Sequence, residues 1–389
     1  RLRYLTEIIY RERSFNSSSL RLFVEKRANM LQPQPTKGHE ISPSCYVSFV
    51  VTSRNDDHGG GLLRRMQLFI NGLVEQCRRY QIQAELVLVD WNPPADRPRL
   101  AQALLWPDQT GPCVVRVIEV PPEIHRRFRH SERLPLFQMI AKNVGIRRAG
   151  GHFVLATNID ILFSDELMQF LASGRLRSER MYRLDRYDAS ADVPLDAPIE
   201  ARLDYCRRNV LRVNTHEGTH NLRSGTYHTV YPKLSCRAWI LDKLQDRGLV
   251  PVDQYSRLHT NACGDFTLMS RDRWFELRGY PDLEMFSFHL DAVLCHAAHH
   301  GGAREHVLPD PMRIYHIEHA AGSGFTPEGQ QKLNARLAGA DIAQLDHAQF
   351  GAWAVQMRRE RRPIIFNDEN WGLAGEDLPE LVMSGIRAA

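Results

Sequence analysis

Residues 141–166, AKNVGIRRAGGHFVLATNIDILFSDE, read as a helix carrying Lys142 and Asn143, a turn at Gly150–Gly151, a hydrophobic strand from His152 to Ala156, and an acidic residue, Asp160, just past the strand end. An open α/β sheet gathers its ligand chemistry at the carboxyl ends of its strands, and a carboxylate there can hold a cation against a phosphate. Upstream, YVSFVVT (Tyr46–Thr52) is a β-branched and aromatic run that ends in the Gly-rich loop Ser53–Gly61. Leu62, Met66, Phe69, Ile70, Leu73 and Cys77 then recur at helical spacing, and Ala84–Val89 follows as a second buried strand ending in Asp90. A third strand, Cys113–Val120, precedes an Arg/His-rich loop, and a helix from about Leu136 leads into the opening stretch. Strands alternating with helices predict an α/β fold with a mostly parallel sheet, flanked by helices and joined by right-handed crossovers.

The 389 residues, 43% of them hydrophobic, suffice for one large core. Residues 1–43 read as a helical N-terminal extension and linker, 44–325 as the catalytic α/β domain, and 326–389 as a helical C-terminal extension. In the last of these, Trp371 reads as an anchor for a terminal tail. The net charge is only +4 and no basic tail or recognition helix stands out, which argues against a nucleic-acid partner. Seven cysteines without a CxxC pair fit a reducing compartment and buried thiols. No apolar stretch approaches the length of a membrane span, and a chain opening on Arg1 reads as a fragment or processed form whose N-terminal helix either packs on the core or connects to an upstream domain. The expected location is the cytoplasm, while the basic amphipathic N-terminal helix leaves peripheral attachment to the inner face of a membrane open.

Four segments in order, VSFVVTSRND, ELVLVDWNPP, AKNVGIRRAGGHFVLATNIDILF and CGDFTLMSRDRWFELRGYPD, resemble the nucleotide-sugar-dependent glycosyltransferases of the GT-A fold, notably the inverting family of chitin, cellulose and chondroitin-type synthases. The resemblance implies a hexosyltransferase of bacterial polysaccharide biosynthesis that uses a UDP- rather than a GDP-sugar donor and a glycan or lipid-linked acceptor. By the same resemblance Thr52, Ser53 and Arg54 contact the nucleoside, together with Lys142 and Asn143, and Asp90 takes a hydrogen bond from the base. The family's Asp-x-Asp motif falls on Asn158-Ile159-Asp160, with Asp160 the ligand of Mn²⁺ or Mg²⁺ and Asn158 a donor-nucleotide contact, through a ribose hydrogen bond or its carbonyl, whose lack of charge weakens metal affinity or removes metal dependence. Arg186, Asn261, Gly264 and Asp265 are assigned to donor-sugar or acceptor contacts, and Arg133, Lys142 or Arg186 to the phosphates. Asp291, in the first turn of a helix, is the expected base, although the acid that precedes it in the family is Leu290 here, and Asp265 is its rival.

Among 17 histidines, His316 and His319 flank Glu318 after a strand-like segment and are candidates to join Asp160 on the cation. His296, His299 and His300 are read as helix-end caps for carbonyls. The stretch from Asp188 to Thr260 breaks the strand–helix alternation and is expected to wall or cover the acceptor side. Two other readings remain. A nucleotidyltransferase would need a lysine that SRNDDHGGG lacks, and a nucleotide- or glycan-binding domain that has lost its chemistry would explain Asn158 and Leu290.

Overall fold

The computed structural model describes residues 45–319 and 327–383; the expected N-terminal helix and linker lie outside them. The strands are β1 (Val47–Ser53), β2 (Ala84–Trp91), β3 (Cys113–Val120), β4 (Phe153–Thr157), β5 (Ile161–Phe163), β6 (Arg180–Arg183), β7 (Arg186–Ala189), β8 (Val210–Asn214), β9 (Gly218–Asn221), β10 (Tyr227–Thr229), β11 (Phe266–Ser270), β12 (Arg304–Val307), β13 (Ile314–Ile317) and β14 (Glu380–Val382). The longer helices are α1 (Leu62–Tyr80), α2 (Gln138–Arg148), α3 (Asp165–Ala172), α4 (Ile199–Arg208), α5 (Cys236–Asp246), α6 (Arg271–Leu277), α7 (Leu290–His300), α8 (Pro327–Gly339) and α9 (His347–Glu360).

The large sheet runs β12-β6-β11-β4-β1-β2-β3-β14. Its centre, β4-β1-β2-β3, is parallel, as continuous apolar strands joined by helices require. β11 and β14 pair antiparallel with β4 and β3. Alternate residues of β1 face opposite ways. Val50 joins Val87, Val89 and residues of α2, α6, α7 and α9 in one core. Val47, Phe49 and Val51 join Leu86, Leu88 and residues of α1 and α3 in the other. α2 lies close to the sheet because Gly145 has no side chain, and a Cβ there would stand 2.5 Å from Val50 Cγ1.

The chain moves outward from β1 to β2 and β3, then returns to place β4 on the other side of β1. That reversal opens a crevice at the carboxyl ends of β1 and β4, the usual position for a ligand in such sheets. Loop 54–61 and the Asn158–Asp160 turn meet there.

The stretch from Asp188 to Thr260, expected to wall or cover the acceptor side, contributes much of a second sheet, β10-β9-β8-β7-β13-β5. β5 begins directly after Asp160, so the second sheet grows out of the crevice. The C-terminal part is not purely helical: β14 extends the large sheet, fastened by Arg116, which pairs with Glu85 of β2 (2.8 Å) and Glu380 of β14 (2.6 Å). Trp371 is buried, packed edge-on against Phe275 with Arg147 over its ring.

Candidate metal and donor site

Strand register assembles the centre of the site. β13 pairs antiparallel with β5, setting His316 opposite Ile161, the residue after Asp160. β13 also pairs in parallel with β7, setting His316 opposite Asp188. The Ile317 N–H donates to the Asp160 carbonyl at 2.9 Å, which holds the chain so that His319 also turns inward. Asp160 Oδ2 then lies 3.7 Å from His316 Nε2 and 3.3 Å from His319 Nε2. One donor atom from each of Asp160, His316 and His319 falls within 4.8 Å of the others. These are the three residues the sequence assigned to the cation.

The donor set fits a divalent ion. One carboxylate and two imidazoles supply an anionic and two neutral ligands, and Asp160 Oδ1 is buried without a hydrogen-bond partner. Behind His316, Asp188 Oδ1 stands 3.3 Å from Nδ1, the arrangement in which a carboxylate orients a ligating imidazole. Burial opposes the charge on Asp160, but His316, His319 and Arg65 overcome it and hold the carboxyl well below its ordinary range. Burial likewise lowers the affinity of His316 for a proton, yet Asp160 and Asp188 raise it on balance.

Loop 54–61 closes one side of the cluster. Gly59 has φ +72°, and a Cβ there would come within 2.6 Å of His319 Nδ1, so this position needs glycine for both conformation and space. Arg65, in the first turn of α1, donates to the carbonyls of Gly60 and His58 and places Nε 3.7 Å from Asp160 Oδ2.

A buried ionic chain continues into the second sheet. Asn158 donates to Asp265 and accepts from Gln138 Nε2 at 3.1 Å, so its amide fastens the turn that carries Asp160. Asp265 accepts from Arg186, whose Nε is 2.9 Å from Asp188 Oδ1; Asp188 Oδ2 accepts from Arg212 Nε at 2.8 Å, and Arg212 pairs with Glu318. Burial opposes ionisation of Asp188 as well, but Arg186, His316 and Arg212 hold it well below the carboxylate range.

On the other flank Lys142 is fully buried and donates from Nζ to the Gly264 carbonyl at 2.6 Å. Burial brings its pKa down to about 8 against the pull of Asp265, Asp291 and Asp160, the carboxylates nearest to it. Asp291 Oδ1 accepts the N–H of Ala292, while Oδ2 rests against Gly264, 2.9 Å from where a Cβ would stand.

Several assigned residues have their polar groups engaged within the protein. Asn143 is fully buried, donates to the Tyr280 carbonyl (2.7 Å) and Asp282 (2.6 Å), and accepts the Tyr280 N–H, so it braces the Gly279–Asp282 turn and presents nothing to a donor nucleotide. Asn261 tethers the β8–β9 hairpin through Thr215 and Thr219, both at 3.1 Å. Arg186 is locked between two carboxylates. Arg133 pairs at the surface with Asp341 at 3.0 Å. Thr52 donates to the Val89 carbonyl at 3.2 Å next to Ser53. Arg54 donates to the Asn92 carbonyl at 2.7 Å and pairs with Asp56 at 3.1 Å. Of the helix-end histidines, His296 is buried with both ring nitrogens unpartnered, His299 Nδ1 faces the Glu305 N–H, and His300 Nε2 faces Ser256 Oγ; these contacts replace the expected carbonyl caps.

Asp90 is 1% exposed: Oδ2 accepts the Leu100 N–H at 2.8 Å and Oδ1 has no partner. Burial raises its pKa from the ordinary 3.8 to about 7. Between these values the folded chain keeps a proton that the unfolded chain has lost, so the contribution to stability is full below about pH 4 and disappears as pH rises through about 7. Asp90→Asn retains the Leu100 acceptor but cannot ionise. In urea unfolding the variant should gain on the native chain from pH 5 to pH 8, by on the order of 2 kcal/mol. A stability difference that stays constant across this range would show that Asp90 titrates normally.

Sequence reading assigned none of Arg65, Arg212 and Asp188 to the site. The position of Arg65 in the first helical turn after Gly59–Gly61 was the available signal for it.

No family model matches the sequence, and no curated protein matches it. Solved structures do. A mannosyltransferase of Pyrobaculum calidifontis, in complex with GDP-Man and Mn²⁺, aligns with a TM-score of 0.38 and 13% identity, covering 91% of this chain and 79% of its own. S. aureus TarS 1–349, in complex with UDP-GlcNAc, aligns with a TM-score of 0.39 and 13% identity, covering 78% of this chain and 69% of its own. At this level of similarity the chain is assigned to no family, and its functional reading rests on its own geometry.

Proposed function

We propose that the protein is a GT-A-type glycosyltransferase that moves a sugar, with inversion, from a nucleoside diphosphate donor to a hydroxyl of a glycan or lipid-linked acceptor. The supporting observation is the convergence of Asp160, His316 and His319 at the β1/β4 crevice. The two imidazoles favour Mn²⁺ over Mg²⁺, since Mg²⁺ prefers oxygen ligands. When bound, the ion neutralises charge on the departing diphosphate. Arg65 adds a second positive group beside Asp160.

Asp291 is the base in this reading. The acceptor oxygen bonds to the anomeric carbon, the bond from that carbon to the diphosphate oxygen breaks, the hydroxyl proton passes to Asp291, and the nucleoside diphosphate leaves. Lys142 lies buried on the same flank and donates to the carbonyl of Gly264, the residue against which the Asp291 carboxylate rests.

A binding domain without turnover is the second reading, favoured by Asn158: it brings no charge, and its amide is engaged by Asp265 and Gln138. Thermal shift with UDP, GDP and CDP, with and without Mn²⁺, tests the donor site, because a ligand selective for the folded chain raises its melting temperature. A Mn²⁺-dependent rise with one nucleotide supports a donor site and names its base; no rise with any of them removes the proposal. Release of nucleoside diphosphate from the matching sugar nucleotide then separates transferase from binding domain.

A further inference from the structure

α5 is built inside out. Its inward residues, Asp242 and Gln245, are polar and buried, while Trp239 (54% exposed), Ile240 (52%) and Leu241 (41%) face solvent, as does Leu249 (67%) just beyond its end. A helix at a protein surface ordinarily buries its apolar residues and exposes its polar ones. The inversion is held by Arg358 of α9, which is buried and bonds Asp242 Oδ1 at 2.7 Å, the Asp242 carbonyl at 2.9 Å and Gln245 Oε1 at 3.3 Å. Gln245 in turn donates to the Pro251 carbonyl at 3.0 Å. The anchor therefore uses polar chemistry throughout and leaves the apolar side chains free for an occupant.

The cations around this face identify the occupant. Arg237, Lys243 and Arg247 are all exposed, with Lys233 just before the helix. At 100° per residue, Ile240, Lys243 and Arg247 lie within one outward row, with Trp239 and Leu241 on either side. Of the nearby acids, Asp242 is held by Arg358, and Asp246 is shared between Arg358 and Lys243, whose Nζ stands 3.5 Å from it at the surface. An aromatic and aliphatic patch ringed by Lys and Arg matches the boundary between anionic headgroups and acyl chains. A second copy of the chain fits poorly, since self-contact through this face would bring its cations against one another. No helix among the described residues is long and apolar enough to cross a membrane, so the contact is interfacial.

We propose that α5 and the turn after it form a docking element for an anionic lipid surface, with Trp239, Ile240 and Leu249 entering the acyl boundary and Arg237, Lys243 and Arg247 meeting headgroup phosphates. None of these residues belongs to the Asp160, His316 and His319 cluster.

Flotation of the full chain with vesicles tests it, using phosphatidylcholine alone and phosphatidylcholine mixed with phosphatidylglycerol. The native chain should float with the mixed vesicles, less so as salt rises, and W239S/I240S should partition at least about tenfold more weakly. Both side chains are exposed, so the variant should melt with the native chain; L105S, at a 73% exposed leucine on another loop, is the control and should float normally. Absence of flotation by the native chain, or flotation unchanged in W239S/I240S, overturns the proposal. So does light scattering that shows a native dimer lost in the variant, because the face would then belong to a second copy.

Discussion

Asp160→Ala should lower Mn²⁺ affinity by at least about 100-fold, read by electron paramagnetic resonance titration of free Mn²⁺, since loss of outer-shell partners alone costs about 10–100-fold. Asp160 is the only anion among the three converging ligands, and its removal leaves His316, His319 and Arg65 facing one another without the carboxylate between them. His319→Ala should weaken binding less, because Asp160 and His316 remain and Asp188 still orients His316. Circular dichroism of each variant separates loss of a ligand from loss of the fold. If Asp160→Ala takes up Mn²⁺ as tightly as the native chain, the cluster is not the metal site and the donor-site argument fails with it.

The central sheet was legible because β1, β2 and β3 are continuous apolar or β-branched runs, and buried parallel strands require just that. Asp160 could be placed for the same reason, as it stands three residues past the end of β4, another apolar strand. The second sheet was not legible. Its strands are three to five residues long and β9 reads GTHN; β8, β9 and β10 follow one another, but β13 reaches β5 and β7 from far along the chain. Burial there serves ions as much as apolar groups: Arg186, Asp188 and Arg212 are all inside, whereas periodicity detects only hydrophobic side chains. For the same reason the spacing could mark His316 as a candidate but could not show that β13 lies between β5 and β7, the register that joins it to both Asp160 and Asp188. Asn143 and Asn261 show the converse. A polar residue near a site suggests a ligand, and only the partner of its amide shows that it braces the backbone.

The two acids considered for the base are separated by their surroundings. Both oxygens of Asp265 accept, one from the Asn158 amide and the other from Arg186, so Asp265 is one member of a buried ion pair. Asp291 is less enclosed and carries one internal hydrogen bond, to the N–H of Ala292. Asp265→Asn should therefore destabilise the chain by about 3 kcal/mol, as removal of one member of a buried ion pair does. Asp291→Asn, which keeps the shape and the helix position, should fold normally and bind nucleotide and Mn²⁺ within a few-fold of the native chain. Its sugar-transfer rate should fall by about 10²–10⁴, the usual contribution of a general base. Gly264 supplies an independent arm. A Cβ at that position would displace the Asp291 carboxylate while meeting no backbone within 4 Å, so Gly264→Ala should lower turnover with little loss of melting temperature. Native turnover in Asp291→Asn would remove it as the base, and an inactive but well-folded Asp265→Asn would transfer that role to Asp265.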